Sequence, residues 1–289
     1  MNLHYESYKM SAKLHTSKLL FMKIRIFLIL CILTSLIYSN AQNIVLDGAP
    51  TSKRKAVQHA LDKLNRYITT TDQYETSTLT TLLDQTVSAC KSKKDFNNIV
   101  GFYFQCLNTH NSDLDPVLVH IYDTYPLTWI PSGSEARYKR KIESLRKILP
   151  GAHIPELISH DIDGNAHSTN EIKTHYTVLW FWDPDCDHCQ EMTPVLHQYY
   201  SDYAERWDME VFAVEVNEDH DRWVTFSDTH NLWDWTNLST SMGKANLDFI
   251  EYFDIMTTPV IFLIDNQQEH AIIARQISLD ELYNFFENK

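Results

Sequence analysis

The chain has 289 residues, enough for two modest domains, and a formal charge of −13 at pH 7. Residues 1–41 hold five Lys/Arg and one Asp/Glu, so residues 42–289 carry 20 basic and 37 acidic groups, a charge of −17. That balance argues against a nucleic acid or an anionic lipid surface as partner.

The N-terminal stretch reads as a secretory signal peptide. Lys23 and Arg25 precede a 12-residue apolar run, Ile26 to Ile37, and Ser39-Asn40-Ala41 is a small-x-small end with cleavage after Ala41. A membrane span needs about 20 apolar residues, so no span is expected after cleavage. The basic region ahead of the run is long, and Met22 would be a better start. Cys31 lies inside the run, ten residues before Ala41, and is read as passive. Four cysteines then remain, 90, 106, 186 and 189, too few for a disulfide scaffold.

Residues 42–150 read as a helical domain of no evident chemistry. Helical faces are formed by Val57, Ala60, Leu61, Leu64 and Ile68, then by Leu79, Leu82, Leu83, Val87 and Cys90. Phe96, Ile99, Val100, Tyr103 and Leu107 make a third face, Val117, Leu118, Ile121 and Tyr122 a fourth, and Tyr138, Ile142, Leu145 and Leu149 a fifth. Breakers separate them at Thr69–Asp72, Ser92–Lys94, Asn111–Asp113 and Pro126–Ser134. Cys90 and Cys106 lie on apolar faces and are expected to be buried free thiols, since cysteine packs as a small hydrophobe. Leu149-Pro150-Gly151 ends the fifth helix and marks a boundary.

Residues 151–289 alternate strands and helices. Leu157–Asp161, Thr177–Trp182 and Met209–Val216 read as strands, Cys186 to about Trp207 and Asp219–Thr229 as helices. A short helix is expected around Leu247, Ile250 and Tyr252. Val260–Ile264 and Ala271–Gln276 form a hairpin around Asn266-Gln267-Gln268, and Leu279–Glu287 is a closing helix. The class is α/β: a central mixed sheet flanked by helices, behind a small all-α domain.

Cys186-Asp187-His188-Cys189 is the cluster that carries chemistry. It follows an apolar strand and opens a helix. The helix N-terminus carries about half a positive charge and unpaired N–H groups, which favour a thiolate at Cys186. Cys189 lies one turn on, close enough to close a disulfide. His188 can place positive charge beside the thiolate, whereas Asp183, Asp185 and Asp187 act against it. A zinc pair would want two further ligands at matching spacing, and Cys90 and Cys106 sit on separate helices, so no metal is expected. An inert structural disulfide is also disfavoured, because short loops of this kind are usually the labile ones. His153, His160, His167 and His175 are scattered and read as solvated or loop residues.

The second half resembles the thioredoxin fold, and within it the exported thiol–disulfide oxidoreductases of the TlpA/ResA-like group. Phe181-Trp182 before the cysteines resembles that group's strand end, Pro194 its helix proline, and Thr258-Pro259 with Val260–Asp265 its cis-proline loop and strand. Ala152–Leu157 and Asp161–Gly164 resemble its N-terminal hairpin. Cys186 and Pro259 are 73 residues apart, which fits that group's extra βα insertion. The resemblance implies Cys186 as nucleophile, Cys189 as resolving thiol, His188 as modulator, and substrate contacts from Thr258, Pro259, Trp182 and Pro184. It implies protein thiols and disulfides of the cell envelope as partners, an unidentified redox donor or acceptor, a periplasmic location, and no cofactor beyond a Cys186–Cys189 disulfide. Three departures stand out: Trp180 replaces the buried acid of thioredoxins, Asp185 replaces the tryptophan before the first cysteine, and Asp187-His188 replaces Gly-Pro.

Two other functions fit the same half. A thiol peroxidase of this superfold would want Pro-x-x-x-Thr-x-x-Cys, a spacing that Pro184-Asp185-Cys186 lacks. A redox-silent scaffold would leave binding to the helical half. The leading reading is a thiol–disulfide oxidoreductase. His188→Ala should make its couple more reducing, by about 1.4 kcal/mol for each unit of thiolate stabilisation lost. Equilibration with glutathione buffers checks this, and an unmoved potential would leave His188 without a role.

Overall fold

A computed structural model describes residues 51–70, 75–108 and 114–289. The expected leader, 1–41, lies outside them. The chain parts into two compact units, one ending at Ile142 and the other running Glu143–Lys289. No helix among the described residues is long and apolar enough to cross a membrane.

The first unit is helical: α1 Thr51–Thr70, α2 Thr76–Ala89, α3 Lys93–Leu107, α4 Asp115–Thr124, and the start of α5, Glu135–Ile148. Its apolar faces turn inward. Leu64, Ile68, Leu79, Leu83, Val100, Tyr103, Leu118 and Ile121 are buried. Ser92 caps α3 by accepting from the Asp95 N–H at 3.0 Å. The stretch read as a breaker around Pro126 holds a single 3₁₀ turn, Leu127–Trp129. There Trp129 is buried, its ring 4.8 Å from Phe104 and 5.5 Å from Tyr138. The last helical face runs through Ile148, which is buried, rather than Leu149. Cys106 is buried, but Cys90 is only half-buried, because it caps the end of α2 where the chain turns. Burial pushes the Cys90 thiol up to about 11.

The second unit is built on a seven-stranded mixed sheet in the order β2-β1-β5-β4-β3-β6-β7. The strands are β1 Ile158–His160, β2 Ala166–Ser168, β3 Tyr176–Trp182, β4 Met209–Glu215, β5 Thr236–Ser239, β6 Val260–Asp265 and β7 Ala271–Arg275. β3 runs parallel to β4 and antiparallel to β6, and β4 runs parallel to β5. All seven residues of β3 are buried, as a strand covered on both faces requires. Its residues alternate between two cores. Tyr176, Val178, Trp180 and Trp182 join one core with α6 (Asp187–Trp207), α7 (His220–His230) and α9 (Leu279–Glu287). Leu179 and Phe181 join the other, with the end of α5 and α8 (Phe249–Tyr252).

β2 and β5 are strands that no apolar alternation announced. β2 has no fully buried residue and is held by the β1 hairpin. There Asp161 accepts the N–H groups of Asp163 and Asn165 at 3.0 and 2.8 Å, and Gly164 takes φ +78°. Those bonds, with the His167 ring, hold the Asp161 carboxyl down at about 2. β5 is polar in sequence yet buried. Asn237 takes the Trp223 indole N–H at 3.0 Å and donates to Ser227 at 2.9 Å. His167 and His175 are not simply solvated, since they face Asp161 and Asp265 at 2.7 and 3.2 Å.

Phe181 is fully buried against Phe253, ring centroids 4.9 Å apart. Phe181→Ala should cost about 3–5 kcal/mol. Ile250→Ala, at a site 49% exposed, should stay within about 0.5 kcal/mol. Urea unfolding followed by tryptophan fluorescence measures both, and equal costs would contradict this core.

Candidate active site

β3 ends at Trp182, and the next four residues turn the chain onto α6. Cys186 is the N-cap residue, with φ −81° and ψ 118°, and its side chain does not cap the helix. The turn is tied down from within. The Cys186 N–H donates to the Asp183 carbonyl at 3.1 Å and the Asp185 N–H to the Asp183 carboxylate at 2.8 Å. The Gln190 side chain donates to the Pro184 carbonyl at 2.8 Å. These bonds fix where the first cysteine stands before any partner arrives.

The Cys186 thiol is half-buried and reaches across to a second loop, donating to the Thr258 carbonyl at 3.1 Å over a sequence separation of 72 residues. The Thr258–Pro259 peptide is cis. β6 begins at the next residue and pairs with β3 from Phe181↔Val260 onward, so the sheet itself brings the two loops side by side. Thr258 and Pro259 are both partly accessible, and Met256 in the same loop is 63% exposed.

Cys189 lies behind, fully buried in the core with Trp180 and Trp182. Both cysteines are free thiols. Burial pushes the Cys189 thiol far up, and the nearby Cys186 adds to this. The Asp183 backbone and the Thr258 side chain, both hydrogen-bonded to Cys189, pull the other way. The pair is thus asymmetric, with one sulfur accessible and one enclosed.

Of the other expected site residues, His188 is exposed on the first turn of α6. Trp182 does not offer a surface to substrate: strand alternation turns it into the core, fully buried, with its ring 5.2 Å from Phe226. Pro184 is buried as well. Both therefore support the site from beneath rather than touching a partner.

A polar layer beside the cysteines was not anticipated. Glu215, the last residue of β4, is fully buried. It accepts the Asn217 N–H at 2.5 Å and the Ser239 hydroxyl at 2.6 Å. Asn217 in turn donates to Asp183 at 3.4 Å. Arg222, from the first turn of α7, pairs with both Asp185 and Asp219. Burial, with Asp183 nearby, raises the Glu215 carboxyl; burial, with Asp219 nearby, raises Asp183. The signal for Glu215 lay in the strand alternation, which puts it on the same face as Val211 and Ala213.

Comparison with known proteins places part of this half. Residues 174–270 match a family model described as thioredoxin-like. No curated protein matches the chain. A thioredoxin-like protein from Bacteroides caccae aligns over 86% of this chain and 93% of its own, with a TM-score of 0.58 at 14% identity. A domain of a possible thiol-disulfide isomerase from Cytophaga hutchinsonii aligns over 48% of this chain and 92% of its own, at 28% identity and a TM-score of 0.44. The thioredoxin domain of a thiol-disulfide oxidoreductase from Bacteroides vulgatus covers 48% of this chain and 96% of its own, at 24% identity and a TM-score of 0.41. The cysteine turn, its helix and the Thr258–Pro259 loop all lie within the matched segment, and residues 174–270 are a thioredoxin-like domain.

Proposed function

We propose that the protein is a thiol–disulfide oxidoreductase that exchanges disulfides with proteins of the cell envelope through Cys186 and Cys189. The observation that carries this reading is the placement of an accessible Cys186 sulfur at the helix N-cap, 3.1 Å from the Thr258 carbonyl, with the Cys189 thiol enclosed behind it. A structural disulfide would have no use for that asymmetry. The envelope location rests on the leader-like segment 1–41.

The steps follow from the geometry. The Cys186 thiolate attacks one sulfur of a substrate disulfide. A Cys186–substrate disulfide forms, and one substrate thiolate leaves and takes a proton from solvent. Cys189 then loses its proton and attacks the Cys186 sulfur. The Cys186–Cys189 disulfide forms as the second substrate thiolate leaves, and two electrons have passed to the substrate. A redox partner returns the pair to its starting state, and the relative potentials set the direction. An extended substrate segment can pair with the backbone beside Thr258, where Pro259 offers no competing N–H.

Cys189→Ser should accumulate mixed disulfides with envelope proteins on non-reducing gels, whereas Cys186→Ser should give none. Equal trapping by both variants would reverse or abolish these roles. In the reduced native protein, brief iodoacetamide treatment at neutral pH should label Cys186 at least about tenfold faster than Cys90, Cys106 or Cys189. Mass mapping of the labelled peptides reads this directly.

A further inference from the structure

The second unit carries an open cleft at the end of the strands away from the cysteines. From Ser168 the chain runs through a 3₁₀ turn, Thr169–Glu171, and back to the start of β3. Between this segment and the beginnings of β4 and β5 lies a space of about 360 Å³. That volume suits a small molecule or one long side chain. In register Glu210 stands opposite Thr177, near the start of β3, whereas Trp182, at its end, leads to the cysteine turn. The exchange steps make no use of this cleft.

Glu210 gives the cleft its character. It is half-buried and lines the space. Its Oε1 accepts the Thr236 N–H at 3.0 Å and the Thr236 hydroxyl at 3.2 Å, and its Oε2 accepts the Tyr200 hydroxyl at 3.2 Å. The Val211 N–H donates as well. All these donors are neutral, so dipoles solvate the carboxylate and no cation balances its charge. A carboxylate offers about four acceptor sites, and Oε2 has room for a further donor. Burial raises the Glu210 carboxyl, as expected where no positive group stands against it.

The other walls narrow the choice of ligand. Phe212, two residues on and on the same strand face, is fully buried, and Ile172 packs against the same core. They set an apolar wall beside the carboxylate. Glu171 adds a second acid. Lys173 is exposed and forms no ion pair among the described residues, and His167 is held by Asp161 at 2.7 Å. An anion would therefore meet two carboxylates here. A neutral apolar molecule would take water from Glu210 and leave its charge unmatched.

We infer that this cleft binds an organic cation, a guanidinium or ammonium group on an apolar stem, with the charged head on Glu210 and the stem against Phe212 and Ile172. The inference is independent of the thiol chemistry proposed above.

The probe is n-butylguanidinium chloride, titrated into the ¹⁵N-labelled full chain at an ionic strength matched with sodium chloride. Saturable amide shifts should fall on residues 168–174, 210–212 and 236 and leave Cys186 unmoved. n-Pentanol, a similar stem without the charge, should bind at least about tenfold more weakly. Glu210→Gln keeps an oxygen for the Thr236 N–H and removes the charge, and it should weaken the cation by about tenfold. Lys173→Glu, at an exposed position, should tighten the cation by about threefold. A capped Gly-Arg-Gly peptide forms the second arm. Tighter binding than the free cation assigns the cleft to an arginine of a partner chain, and weaker binding assigns it to a free cation. Shifts that do not saturate, that spread over the acidic surface at large, or that survive Glu210→Gln undiminished overturn the inference. Should Glu210→Gln fail to fold, Lys173→Glu decides: binding no tighter than that of the unaltered protein contradicts the inference. The titration involves no disulfide exchange, so its failure and a failed exchange assay are separate results.

Discussion

The second unit depends on β3. Its seven residues are buried on both faces and paired on both edges, to β4 in parallel and to β6 antiparallel. A strand so enclosed has little freedom of register, because a slip of one residue would exchange Trp180 and Trp182 for Leu179 and Phe181 between two differently shaped cores. The end of β3 is thereby fixed in space, and with it the turn that carries Cys186. The antiparallel edge then brings Thr258 to the same spot from the far side of the sequence. The thiol site follows from strand pairing, before any specific property of the cysteines is considered.

The site is also more acidic within than its sulfur chemistry would ask. Asp183, Asp185, Asp187 and Glu215 gather around a centre that the proposed exchange would make negative. Opposing them are the α6 N-terminus and one guanidinium, Arg222. Such a balance makes the thiolate sensitive to small changes in neighbouring charge, since the enclosed half of the site screens poorly.

Much of this was legible in the sequence. The β3 run, α6, the β6–β7 hairpin and α9 could be drawn with nearly their observed bounds, because each has either continuous apolar burial or a clear capping signal such as Ser278 with Glu281. β5 could not, because its burial is sustained by hydrogen bonds of Asn237 and Ser239 rather than by apolar side chains. The resemblance implies Trp182 as a substrate contact, whereas strand alternation sends it inward. Glu215 follows the alternation of Val211 and Ala213 inward, yet an acid at a strand end looks solvated until the loop that wraps it is known. In the first unit, periodicity located the helices, but Trp129, buried inside a stretch of breakers, has no periodic neighbours to announce it.

The central claim is that Cys186 and Cys189 form a reversible two-electron couple. Equilibrating the full chain across a series of glutathione redox buffers and mapping the disulfides by mass spectrometry tests it most directly. The account predicts a single cooperative conversion of the Cys186–Cys189 pair from dithiol to disulfide, at a potential between about −270 and −120 mV. Cys90 and Cys106 should remain free throughout. A pair that stays in one state across the whole series, or a disulfide that forms elsewhere first, would contradict it.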